Sequence, residues 1–367
     1  MRLLLFSDLH LDSAFAWLGV ERPLARQRRQ ALRDALVHVA QLAASVKVDV
    51  LLCGGDLYEN DRATPDTAAF LQNLFGELQP LPVYIAPGNH DWYGPDSLYS
   101  QVAWTGNVHV FKESRLQPIS LTDGLTLWGA AHKAPANTDG FLDNFRVDRT
   151  GVNLALFHGS ERGWFNAQGE GKQPHAPFDA TQIEAAGLDH AFLGHYHVPR
   201  EALRHTYPGN PDPLEFGEQG LRGAVLATVT SDGSVEREWH RVAVTQAHDL
   251  TVDVSGCASQ QDVRDEVQKL CLGLAGIARI TLSGELRPEV DLRLTDLATA
   301  APNLEALSVR VGALRIGYEL EAIAKEPTVR GQFVRDVRAA DLTEDERRRV
   351  LITGLRSLDR RADLEVA

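Results

Sequence analysis

Three cysteines in 367 residues, Cys53, Cys257 and Cys271, form no Cys-x-x-Cys pair and make an odd number. This argues against a disulfide framework and against a zinc–cysteine cluster, so a metal here has to be held by His, Asp and Asn. No apolar run approaches the roughly 18 residues that a membrane span needs, and the opening Leu3–Phe6 run stops at Asp8 before a signal-peptide core forms. The expectation is a cytoplasmic protein with no membrane partner. Net positive charge is also missing: 37 Lys and Arg face 50 Asp and Glu, a formal charge of −13. The deficit is spread, with 20 basic against 29 acidic residues over 1–245 and 17 against 21 over 246–367. That balance is unusual for a protein that wraps nucleic acid through phosphate contacts. Of the basic residues, however, 31 are Arg, the better planar donor to phosphate.

What is present, 44% hydrophobic and 24% charged residues, describes a globular chain long enough for two domains. Through residue 195, short apolar runs alternate with longer amphipathic segments, which argues for α/β layering. The runs Leu3–Phe6, Val48–Cys53, Val83–Ala86, Leu125–Gly129, Leu154–Phe157 and Ala191–Leu193 read as strands, and Pro23–Ser45 and Pro65–Leu78 as helices. Residues 159–179, rich in Gly and polar side chains, read as a long loop. After about residue 223 an antiparallel hairpin turns at Ser231–Ser234, and a boundary falls near 245. Beyond it, a strand at Asp249–Val254, a helix at Gln260–Leu274, strands at Ile277–Leu282, Val290–Leu294 and Leu307–Val311 suggest a small α+β domain. It closes on a helix from the Thr343–Glu346 capping box to about Arg361.

The metal-capable residues fall at carboxyl ends of these strands. Asp8 and His10 follow the first, Asp56 the second, Asn89, His90 and Asp91 the third, His158 the fifth, and His195 and His197 the sixth. In an open α/β sheet those ends share one edge, so groups up to 189 positions apart are gathered there. Asp, His and Asn form a mixed oxygen and nitrogen set that suits Mn²⁺, Fe²⁺ or Zn²⁺ and does not suit calcium. Seven ligands exceed one tetrahedral ion. Two ions bridged by a shared carboxylate use them all, a device known for in-line displacement at phosphorus.

The runs SDLHLD, GGDLYEN, PGNHD, FHGS and LGHYH, in this order, resemble the five motifs of the calcineurin-like metallophosphoesterases over residues 1 to about 245. DLHLDSAF, LGHYH and YPGNPDPLEFGE further resemble the SbcD/YhaO-type DNA-repair exonucleases. The resemblance implies a four-layer α/β metallophosphoesterase sandwich (1–245) with a smaller C-terminal α+β capping domain (246–367) that binds a partner or shapes access to the site. It implies that Asp8, His10, Asp56 and His197 hold one ion and Asp56, Asn89, His158 and His195 the other, most simply Mn²⁺. His90 then acts at the scissile phosphate and Asp91 orients it. DNA is the implied substrate, an SMC-like ATPase the implied partner, and a homodimer is usual among relatives. Glu59, where Asp is common, and Asn210, where Ser is common, depart from the pattern without touching a ligand position.

His132, His205 and Tyr207 are candidates for substrate contact. His38, His109, His175, His190, His240 and His248 read as ordinary core or surface histidines. Arg26, Arg28, Arg29 and Arg33 read as a solvated helix face, with a DNA-backbone contact as the alternative. A small-molecule or nucleotide phosphodiesterase on the same fold fits the acidic balance better than a nuclease. A protein phosphatase lacks support because GDxVDRG and GNHE are absent, and a non-catalytic scaffold ranks last because every expected ligand is present.

Overall fold

The computed structural model describes residues 1–18, 22–136, 138–148, 150–168 and 174–359. The first of two units runs from Met1 to Gln246. Its elements are β1 (Arg2–Phe6), α1 (Arg22–Ser45), β2 (Val50–Cys53), α2 (Pro65–Glu77), β3 (Val83–Ile85), α3 (Leu98–Gln101), β4 (Val108–Val110), β5 (Gln117–Thr122), β6 (Leu125–Gly129) and β7 (Val152–His158). There follow α4 (Ala180–Ala185), β8 (His190–Gly194), β9 (Arg200–Ala202), β10 (His205–Tyr207), β11 (Gly223–Val229) and β12 (Val235–Arg241).

Two six-stranded sheets result, in the orders β12-β11-β1-β2-β3-β4 and β5-β6-β7-β8-β10-β9. Strands β1 to β4 are mutually parallel, as are β6, β7 and β8. The period-2 alternation of the strands decides what each face buries. Leu3, Leu5, Val50 and Leu52 of the first sheet meet Leu127, Leu154, Leu156 and Phe192 of the second in one core. On the opposite face of the second sheet, Ala155, Phe157, Ala191 and Leu193 pack with Ile183 of α4 and with Phe141 and Phe178. Helix α1 buries Leu32, Ala35, Leu36 and Val39, a stripe at 3- and 4-residue spacing. The layering is helix, sheet, sheet, then α4 with its flanking loops. Truncating one central leucine, such as Leu154→Ala, costs about 2–5 kcal/mol by the range for buried aliphatics.

Four strands escaped the sequence pattern, the first being β4, only three residues long. Strand β5 is an edge strand with mostly exposed residues and a proline, Pro118, and β9 and β10 are three residues each. Between β7 and α4 the segment read as loop contains a 3-10 helix at Arg162–Gln168 and a bridge from Glu161 to Phe178. Gly169–Gln173 lie outside the described residues.

The second unit begins at Ala247 with β13 (Ala247–Asp253), α5 (Gln260–Cys271), β14 (Ile277–Leu286), α6 (Leu294–Leu297) and β15 (Ala306–Ile316). Its three strands are parallel in the order β13-β14-β15, joined through the helices. Short α7 (Leu320–Ile323) precedes the packed pair α8 (Val329–Ala339) and α9 (Glu344–Leu358). The capping box forms as read: Thr343 Oγ1 accepts from Glu346 N, and the Glu346 carboxylate accepts from Thr343 N at 2.9 Å. Arg361, the expected end of that helix, lies outside the described residues. Val290–Leu294 is not a strand. Val290 and Leu292 are buried, but they reach the core from a loop that leads into α6, so alternation there marks insertion and not pairing. Among the described residues no helix is long and apolar enough to cross a membrane.

Candidate metal centre

The carboxyl ends of β1, β2, β3, β7 and β8 deliver the expected groups to one place. Ligand atoms of Asp8, His10 and His197 lie within 4.8 Å of one another, as do those of Asp8, Asp56 and His158, and those of His10, Asp56 and His90. His195 joins them, its Nδ1 being 3.2 Å from His158 Nε2 and its backbone N–H donating to both Asp8 carboxylate oxygens at 2.9 and 3.1 Å. Asp56 sits in the middle: Oδ2 faces His158 Nε2 at 3.2 Å and His10 Nε2 at 3.6 Å, and Oδ1 accepts from His90 N–H at 2.8 Å.

The far side of each imidazole is already committed. His158 Nδ1 donates to the Gly54 carbonyl at 2.9 Å, His10 Nδ1 to Glu59 at 2.7 Å and His197 Nδ1 to Glu218 at 2.9 Å. Such bonds fix the tautomer, so each Nε2 faces the cluster as a lone-pair donor. Glu218 is itself held: its second oxygen accepts from Asn210 Nδ2 at 2.6 Å and Leu214 N–H at 2.7 Å. Arg222 pins the same loop through the His197 carbonyl and Asn210 Oδ1.

Two buried atoms test whether this donor set suits a cation. His10 Nε2 and Asn89 Oδ1 are shielded from solvent and have no hydrogen-bond partner among the described residues, which is costly for polar atoms unless something else binds them. The electrostatics agree. Burial works against the Asp56 charge, yet the adjoining His158 overrides it and holds the carboxyl well below the usual carboxylate range. Burial likewise opposes charging of His158, but Asp56 lifts its pKa to about 9. In the metal-free chain a proton on His158 Nε2 balances Asp56; a divalent cation would replace that proton and free the Nε2 lone pair, so the residues fit divalent metal.

The backbone is bent to suit. Asp8, His10, Asp56 and His195 all take left-handed φ values, 56°, 51°, 50° and 118°. Each costs a non-glycine residue about 1–3 kcal/mol, and such strain clusters at functional sites. Gly88 and Gly194 permit the close approach: a Cβ on either would stand 2.8 Å from His158 Nδ1.

Several expectations change. The carboxylate on the His90 ring is Glu59, whose Oε2 is 2.9 Å from Nδ1, and not Asp91. Asp91 instead accepts from the backbone N–H of Asp56, Leu57 and Gly88 and from Tyr99 Oη, so it shapes the turn that carries Asp56. Burial and then the Asp56 charge raise the Asp91 pKa to about 6. Burial opposes charging of His90, but the Glu59 hydrogen bond and nearby carboxylates raise it to about 9, while Glu59 itself falls to about 2 against its burial because His10 and His90 bond it. The candidates for substrate contact, His132, His205 and Tyr207, lie in the interior. All three are buried; His132 Nε2 donates to the His158 carbonyl at 2.7 Å, and Tyr207 Oη donates to the Gly159 carbonyl at 2.6 Å. Both brace the β7 terminus. Arg28 is not on a solvated face either: fully buried, it bonds Asp212, Thr245 and the Pro213 carbonyl.

The calcineurin-like phosphoesterase family model matches residues 1–199. The chain is 26% identical over 280 residues to an uncharacterized metallophosphoesterase, YhaO, of Bacillus subtilis, covering 72% of this chain and 67% of the relative. It is also 26% identical over 360 residues to the DNA double-strand break repair protein Mre11 of Methanopyrus kandleri, covering 89% of this chain and 72% of that one. With its family motifs gathered into one cluster of Asp and His side chains, the chain belongs to the calcineurin-like phosphoesterases, hydrolases of phosphoester bonds with a dinuclear divalent metal site.

Proposed function

We propose that this chain hydrolyses DNA phosphodiester bonds, with Mn²⁺ as the working metal and the cytoplasm as its place of action. Asp8, His10, Asp56 and His197 would hold one ion and Asp56, Asn89, His158 and His195 the other. Divalent metal there would supply acidification of a nucleophilic water near neutral pH and positive charge for the phosphate oxygens. Everything else is done by the chain. Glu59 holds Nδ1 of His90, so the free edge of that exposed ring is aimed at the space beside Asp56. In the metal-free chain burial opposes charging of His90, but the Glu59 hydrogen bond and nearby carboxylates raise its pKa; a ring held in this way is placed to stabilise the negative charge on the phosphate or to give a proton to the leaving oxygen.

One observation carries the choice of DNA. Similarity to the Mre11 protein extends over 89% of the chain, further than the first unit reaches, so the likeness to a DNA-repair protein runs into the second unit. Cationic side chains beside the centre support it: Lys112 follows β4, Lys133 follows β6, and their Nζ atoms lie 6.0 and 4.5 Å from the ring of Tyr93, three residues after His90. The second unit would then govern which nucleic-acid form reaches the ions, and an SMC-like ATPase and a second copy of the chain would be its partners. The net charge of −13 favours the other reading, a phosphodiesterase for small esters or nucleotides. Cleavage of single- and double-stranded oligonucleotides and of bis-p-nitrophenyl phosphate, compared across Mn²⁺, Mg²⁺ and Zn²⁺, separates them. DNA cleavage that weakens with salt supports the nuclease; hydrolysis of the small ester alone supports the alternative.

A further inference from the structure

One imidazole beside the cluster has no part in the chemistry above. The ring centroid of His175 lies 5.5 Å from that of His195 and 6.3 Å from that of His132. The chain is clamped where His175 sits. Ser160 N–H donates to the His175 carbonyl at 2.8 Å, His175 N–H to Ser160 Oγ at 3.0 Å, and Ala176 N–H to the Thr138 carbonyl at 3.0 Å. Because Ser160 stands two residues beyond His158, the clamp fastens this loop to the strand end that supplies a ligand.

Packing alone does not account for the ring. Its Nδ1 is shielded from solvent and has no hydrogen-bond partner among the described residues, while the residue as a whole is only half-buried. A buried unsatisfied nitrogen is costly, and a half-exposed histidine at a surface loop ordinarily turns such an atom to water. His175 belongs to none of the three groups of ligand atoms that converge within 4.8 Å. The His90 ring lies 4.7 Å from that of His10. Two imidazoles thus stand beside ligand rings of the centre, His90 beside His10 and His175 beside His195.

We propose that His175 is a catalytic residue that touches substrate, donating a hydrogen bond to a non-bridging oxygen of the phosphate on the His195 side. This rests on the reading of the centre as a phosphoesterase site, and it holds for DNA and small esters alike because both present the same phosphate.

The test uses the Mn²⁺-loaded full chain, inorganic phosphate as the probe in calorimetric titration, bis-p-nitrophenyl phosphate as the reporter, and metal content by mass spectrometry. His175→Ala should keep two ions per chain, weaken phosphate binding by about 10- to 100-fold, the range for a hydrogen bond to a charged group, and lower kcat/KM to a similar degree. His175→Gln, which restores a donor, should recover part of both. Unchanged phosphate affinity in His175→Ala overturns the proposal, and loss of one ion per chain overturns it in favour of a ligand role. If the wild-type chain cleaves no ester, the phosphoesterase reading fails by itself, and the phosphate titration still decides what His175 does.

Discussion

Glu218 accepts a hydrogen bond from His197 Nδ1 at 2.9 Å, and burial, which would favour its neutral form, is overridden by this contact so that its pKa falls to about 2. The pair fixes the His197 ring with Nε2 toward Asp8 and His10. Loss of a carboxylate that orients a metal-binding histidine typically weakens metal affinity by about 10- to 100-fold. Glu218→Gln is therefore expected to need more Mn²⁺ for half-maximal activity by that factor, with maximal rate approached at saturation. An unchanged Mn²⁺ requirement would remove Glu218 from the account.

Asp56 and His197 should differ in what they cost the centre. Asp56 faces both His10 and His158, whereas His197 groups with Asp8 and His10 only. Asp56→Ala is expected to lower occupancy of both ions and His197→Ala mainly of one. Mass spectrometry of the native protein checks this, and two ions per chain in Asp56→Ala would disprove the bridging assignment.

Buried Arg28 predicts stability and not DNA affinity. Its guanidinium meets Asp212 at 3.1 Å with both side chains wholly buried, so Arg28→Ala leaves an uncompensated buried carboxylate, worth about 3–5 kcal/mol of destabilisation. Exposed Arg26→Ala should stay within about 0.5 kcal/mol. Urea unfolding of both variants in the presence of chelator gives the comparison; equal midpoints would contradict the buried pair.

Acid should weaken the fold through a histidine outside the centre. Burial, and then Arg237, depress the pKa of His190 to about 3, and its Nε2 is 2.9 Å from Thr206 Oγ1. The unfolded chain takes up this proton near the ordinary pKa of about 6.5 and the folded chain does not. Stability from neutral His190 is thus present above that value and lost as pH falls from there toward 3, by up to about 1.4 kcal/mol per pH unit. In metal-free protein, His190→Asn should flatten the fall in unfolding free energy between pH 6.5 and 5; an identical slope would contradict the assignment.

The strand ends carrying Asp8, Asp56, Asn89, His158 and His195 were legible because short apolar runs bounded by Gly and polar residues mark buried parallel strands, and parallel strands share a ligand edge. Arg28 was legible too and was misread: it lies on the stripe of Leu24, Leu32, Ala35 and Val39, four residues before Leu32, a position that faces the core. Glu59 and Glu218 were not legible as partners of His10, His90 and His197, since their roles arise from tertiary approach across 49, 31 and 21 positions. Tyr207 and His132 misled for a related reason. Polar aromatic residues near a site motif suggest substrate contact, but here each spends its polar atom on the backbone that positions His158.

The central claim, a two-ion centre that cleaves phosphodiesters, is tested most directly by titrating Mn²⁺ into chelator-stripped protein while following bis-p-nitrophenyl phosphate hydrolysis and bound metal together. The account predicts that activity appears as occupancy rises toward two ions per chain and is absent in Asp56→Ala at any Mn²⁺ concentration. Full activity in stripped protein, or in Asp56→Ala, would contradict it.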